Sequence, residues 1–162
     1  MAKYSIEHFL DYVRAFNTRD WEKQHSYYTE DVTLELPPAD GNPVLRGSAG
    51  IKGHYGALLD NFKESIVPIE LMIEEHKIFF RMETNFLAKN AAHGPAGFEC
   101  EAGDVIRVDV WAFYVMEGGL MKSIVTNQLT GEFLGHSKTL AERIKESQAR
   151  ARKDLILNYE HL

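Results

Sequence analysis

Two hydrophobic periods divide the chain. In SIEHFLDYVRAFNTRD, Ile6, Phe9, Leu10, Val13 and Phe16 recur at helical spacing behind Ser5, whose hydroxyl suits an N-cap. An amphipathic helix is predicted there. Asp20 heads a shorter second helix, DWEKQHSYYTED, with Trp21, Gln24 and Tyr28 on or near one face. In VTLELPP the period drops to two, so Val32, Leu34 and Leu36 share one side of a strand and Thr33 and Glu35 the other. One side is core; the other faces either water or a cavity. Pro37, Pro38, Gly41 and Pro43 break the next stretch into a loop. RGSAGIKGHYGALLDNF reads as a third helix capped by Ser48, with Ile51, Tyr55, Leu58, Leu59 and Phe62 inward.

From Ser65 onward the period of two dominates. Strands are predicted over residues 66–74, 78–88, 105–117 and 120–133, with turns at 75–77 and at Gly118-Gly119. Residues 90–103 form a long hairpin loop. Turn-linked sequential strands make an antiparallel meander, and three helices before it make the class α+β. From Ser137 the pattern is helical again, with Thr139 and Glu142 as a capping box and a thin stripe of Leu140, Ile144, Ala151 and Leu155. That segment could cover a pocket mouth or embrace a second subunit.

Composition narrows the choices. A length of 162 residues, 44% of them hydrophobic, suits one domain over residues 1–162, with a core at 4–133 and a helical extension at 137–160. The net charge of -6 argues against a nucleic-acid surface and against anionic membranes. Cys100 stands alone, so neither an internal disulfide nor a cysteine-based zinc site is available. MAKYSIEHF lacks the apolar core of a signal peptide, and no apolar run reaches membrane-spanning length; a cytoplasmic protein is expected. The seven histidines show no HExxH spacing, and GxSxG and GxGxxG motifs are absent. No metal and no nucleotide cofactor is expected. Glycines 50, 53 and 56 inside a helix each cost about 1 kcal/mol against alanine, a cost that suits close packing or the approach of a ligand.

FLDYVRAFNTRDWEKQHSYYTEDVTLELPP, LRGSAGIKGHYGALLDNF and VWAFYVMEGGLMKSIVTNQ, in this order and spacing, resemble the SnoaL-like group of the nuclear transport factor two-like fold. The resemblance covers most of residues 4–133. It implies a cone in which a curved mixed or antiparallel sheet wraps a pocket capped by helices, and a homodimer formed through the sheet's outer face. By analogy with limonene epoxide hydrolase and scytalone dehydratase, it places Thr33 and Glu35 in the pocket from the first strand, and Thr126 and Gln128 from the last. Thr126 stands where the hydrolase has an aspartate, so its paired-carboxylate water activation is not reproduced. The sheet histidines of scytalone dehydratase are missing as well.

Two other groups of residues compete for the chemistry. Arg81 and Glu83 on one strand and Arg107 and Asp109 on its neighbour would set Arg81 against Asp109 and Glu83 against Arg107, a cross-strand charge ladder assigned to the outer face; a register shifted by one would carry Arg107 and Asp109 into the cone as a catalytic pair. His54 lies one helical turn from both Ile51 and Leu58, facing the presumed pocket, where it could share a proton with Glu35. Tyr12 and Tyr28 could donate to a substrate oxygen or simply pack. The expected function is a cofactor-free acid-base enzyme, an isomerase, cyclase or dehydratase, acting on a hydrophobic polyketide- or terpenoid-like molecule. Glu35, His54 and Asp109 are its catalytic candidates, and Tyr12, Tyr28, Thr33, Thr126 and Gln128 its binding residues. The alternative is a non-catalytic binding or assembly module on the same cone.

Overall fold

Ser5 accepts a hydrogen bond from the His8 amide at 3.1 Å and starts α1, Ile6–Asn17, in the computed structural model, which describes residues 4–37 and 43–160. Its apolar stripe sinks Phe9, Val13 and Phe16 into the core. Asp20 likewise caps α2, Trp21–His25, through the Lys23 amide. β1 spans Tyr28–Glu35, and a short β2, Val44–Arg46, pairs with it antiparallel. Of the loop predicted between them, residues 38–42 lie outside the described residues.

α3 runs Gly47–Asn61. Arg46, not Ser48, holds its N-cap position, because Gly47 at φ +66° makes the turn into the helix one residue earlier. Close packing does not explain Gly53 and Gly56, where an added Cβ would meet nothing within 4 Å.

The long strands are β3, Phe62–Ile73; β4, Lys77–Ala88; β7, Val105–Glu117; and β8, Leu120–Gly135. Gly118 and Gly119, at φ +58° and +80°, make the β7–β8 turn with the left-handed backbone that tight hairpins favour. Between β4 and β7 the insert folds back as β5, Ala92–His93, a 3₁₀ turn at Pro95–Gly97 and β6, Glu99–Cys100. The main sheet has the order β2-β1-β8-β7-β4-β3, in which β1 runs parallel to β8 and every other pair is antiparallel. The predicted antiparallel meander is present as β3-β4-β7-β8, and β1, parallel to β8, makes the whole sheet mixed.

α4 covers only Leu140–Gln148, with the capping box of Thr139 and Glu142 in place. It lies on the outer face of β3 and β4, where Asn85 Nδ2 donates to Ser147 Oγ at 3.1 Å and Arg107 Nη2 to Glu146 Oε2 at 3.0 Å. The C-terminal segment thus packs on its own sheet. No helix among the described residues is long and apolar enough to cross a membrane.

Candidate active site

Strand parity decides what the cone encloses. On β4 the inward residues are Phe80, Met82, Thr84 and Phe86; on β7, Val108, Val110 and Tyr114; on β8, Ile124, Thr126 and Gln128; on β1, Leu34, joined by Leu36 just past its end. Tyr12, Phe16, Gln24, His54, Tyr55 and Leu58 close the cone from the helices, and residues 93–97 of the insert complete the wall. The enclosed cavity measures about 480 Å³, within the range of small-molecule sites.

Among the described residues, one carboxyl stands on this wall. Glu64 is on β3, its side chain between those of Phe62 and Ile66 on the inner face, and it is 5% exposed. Its Oε2 is buried without a hydrogen-bond partner. Burial pushes the carboxyl up to about 8, against the pull of the Arg19 charge. Arg19 does not neutralise it directly; its Nη2 donates instead to the Glu64 backbone carbonyl at 2.6 Å. A group poised near neutrality in an apolar cavity can take up and return a proton.

A second polar cluster lies on the same wall. Gln24 Nε2 donates to Tyr28 Oη at 3.1 Å, and the Tyr12 and Tyr28 hydroxyls are 2.9 Å apart. Tyr114 packs edge-on against Tyr12. Burial holds all three phenols above their ordinary range, so each stays protonated and serves as a hydrogen-bonding group.

A SnoaL-like domain model matches residues 9–124. The chain belongs to the SnoaL-like domain family. No curated protein matches it significantly. Among solved structures, a proposed polyketide cyclase from Xanthomonas campestris pv. campestris is 17% identical with TM-score 0.61, over 84% of this chain and 90% of that one. A proposed ketosteroid isomerase from Kribbella flavida is 15% identical with TM-score 0.53, over 74% and 73%. SalBIII, an epoxide hydrolase/cyclase-like enzyme with a role in pyran ring formation in the polyether salinomycin, is 16% identical with TM-score 0.57, over 73% and 84%. At these identities the likeness concerns the fold.

Within this SnoaL-like cone, Tyr12, Tyr28, His54, Thr126 and Gln128 line the cavity as the sequence suggests. Thr126 is already committed, since its Oγ1 donates to the Glu35 backbone carbonyl at 2.6 Å. Glu35 and Thr33 are corrections. Leu34 and Leu36 take the inward positions of β1, and parity sends Thr33 and Glu35 to the outer face, where Glu35 sits beside the exposed Val125. A Glu35–His54 proton pair is therefore not formed across the cavity. Asp109 lies on the outer face, where the charge ladder is assigned, bound by Arg81 at 2.7 and 3.1 Å, so the shifted register that would have made it catalytic is not adopted. The charge ladder exists, though diagonally, because Glu83 is opposite Asp109 and Asn85 opposite Arg107.

Glu64 escaped the sequence reading because Phe62 fits both the end of the α3 stripe and the start of β3. Carrying the period of two back from Ile66 through Glu64 to Phe62 would have exposed it. Among the described residues, no three His, Cys, Asp or Glu side chains come together as metal ligands.

Proposed function

We propose that this SnoaL-like chain is an acid-base enzyme of isomerase or cyclase type acting on a hydrophobic, polyketide-like ketone. Glu64 is the observation that carries the reading: a buried carboxyl with an unpartnered oxygen, on a cavity wall that is mostly apolar and holds a few neutral polar groups. In its ionised form Glu64 removes a proton from the carbon next to a substrate carbonyl. Electron density moves to the carbonyl oxygen, and a phenol or the Gln128 amide on the wall donates a hydrogen bond to it. The protonated Glu64 then returns the proton to another carbon, giving an isomer. For a cyclase, the enolate carbon instead bonds to a second carbonyl carbon and Glu64 protonates the new alkoxide. The names of the cyclase and isomerase neighbours agree with this chemistry.

Deuterium uptake by 2-tetralone in heavy-water buffer tests the proposal. Uptake should exceed the buffer rate, rise with pH toward about 8, and be lost in Glu64→Gln. Equal rates with wild type and variant would overturn the catalytic reading and leave a binding module.

We also propose a homodimer through the outer face of β7 and β8. Phe113, Val115 and Val125 are exposed there, beside Trp111, whose indole N–H is buried without a partner. Light scattering should show Phe113→Lys as a monomer and the wild type as a dimer; a monomeric wild type would contradict it.

A further inference from the structure

Gln24 is 1% exposed, lines the cavity, and leaves its Oε1 without any hydrogen-bond donor. Its amide orientation is set by the other end, where Nε2 donates to Tyr28 Oη. A buried carbonyl oxygen without a donor is costly, and a ligand that supplies one relieves the cost.

The neighbouring phenols present the opposite imbalance. Tyr28 Oη already accepts from Gln24, and the contact between Tyr12 and Tyr28 uses one hydroxyl proton, whichever ring donates it. Two phenols bring two protons, so one is left over. The count is therefore one surplus O–H donor, on Tyr12 or Tyr28, and one orphaned C=O acceptor on Gln24, both on the cavity wall.

We propose that Gln24 and this phenol chain form a subsite for a neutral hydroxyl group of the ligand. A single hydroxyl satisfies both needs at once, accepting from the surplus phenol and donating to Gln24 Oε1. A ketone or ether oxygen meets only the first and leaves Gln24 unpaired. No lysine or arginine lines the described cavity wall to hold a carboxylate. The substrate class is therefore a hydroxylated aromatic or an enol, bound by its hydroxyl at this end. The inference deepens the proposed function by naming the substrate's anchoring group, yet it concerns binding and fails separately from it.

Titrating 2-naphthol and 2-methoxynaphthalene into the protein, followed by calorimetry, tests the subsite without any turnover. The wild type should bind the naphthol at least about tenfold more tightly than the ether. Gln24→Met should reduce that preference to less than about threefold, with Gln24→Glu, which keeps an acceptor, preserving it. Tyr28→Phe offers a second route if Gln24→Met fails to fold, and should also lower the preference. Glu64→Gln should leave it unchanged, which separates the subsite from the proton-transfer reading. Equal affinities in the wild type, or tighter binding of the ether, would overturn the proposal, as would failure of both compounds to bind.

Discussion

Glu64 on the inner face of the sheet and Glu83 on the outer face are buried alike, at 5% and 4% exposure, yet their carboxyls move in opposite directions. Burial raises Glu64 to about 8, and Arg19 only partly offsets it. Burial also raises Glu83, but hydrogen bonds from Arg150 Nε and Nη2 at 2.7 and 2.6 Å, and the nearby Arg107 charge, outweigh it and hold the carboxyl below its ordinary value. Exposure is alike; company differs. The outer face pairs its charges because the strand residues there meet α4 and the chain following it, whereas the inner face gives its one described carboxyl no side-chain counter-charge in contact. An unpaired buried carboxyl costs stability, and at a cavity wall that cost is consistent with a site for chemistry.

Removing each carboxyl separates the two roles. Glu64→Gln should lower the rate of proton transfer by about 100-fold or more, read as kcat/KM for deuterium uptake, with circular dichroism unchanged. The same variant should become more stable than the wild type as pH rises. The folded state holds the Glu64 proton up to about 8 while the unfolded chain releases it near 4.5, so the wild type loses stability across that window, on the order of 3–5 kcal/mol in full. Denaturant melts at pH 5 and 9 measure the gap.

Glu83→Gln should do the reverse. It leaves Arg150 without its carboxylate and takes from Arg107 one of two, Glu146 remaining, and should cost about 3 kcal/mol at pH 7 by urea unfolding, with the pH dependence of turnover unchanged. Because the folded carboxyls of Glu83 and Glu146 lie below 4.5, that of Glu146 at about 2, the stabilisation of the outer face is lost as pH falls from 4.5 toward 2.

Gly131→Ala probes how the insert closes the cone. An added Cβ would fall 2.6 Å from Ala96 Cβ and 3.1 Å from Gln128 Nε2, so the insert would have to shift, costing about 1–3 kcal/mol and weakening 2-naphthol binding in calorimetry. Glu35→Gln should have the smallest effect, within about 0.5 kcal/mol by urea unfolding and less than twofold in turnover, as suits a side chain outside the cavity.

Much of this arrangement was legible in the chain itself. Apolar spacing and capping residues located α1 and the start of α2, though α2 ends at His25 and Tyr28 belongs to β1; the Gly118-Gly119 turn fixed the β7–β8 hairpin, and the resemblance to the SnoaL-like group set Thr126 and Gln128 inward. β1 was harder. Alternation tells which residues of VTLELPP share a face but not which face is the cavity, and that choice depends on the parallel pairing of β1 with β8, a contact between distant parts of the chain. Asp109 posed the same question of face, and α4 with the adjacent Arg81 answers for the outer side. Glu64 was hidden at a junction of two periods. The insert carried no regular pattern, and the close approach of Gly131 to Ala96 together with the packing of Phe98 on Phe133 shows why it rests on β8.

The central claim is that one buried carboxyl on the cavity wall titrates near neutrality. Carbon-13 NMR of the side-chain carboxyls in protein labelled at glutamate, with Glu64→Gln to assign the signal, measures this directly. The account predicts a Glu64 midpoint near 8. A midpoint near 4.5 would place Glu64 in contact with water or a cation, and would contradict both the site and the mechanism built on it.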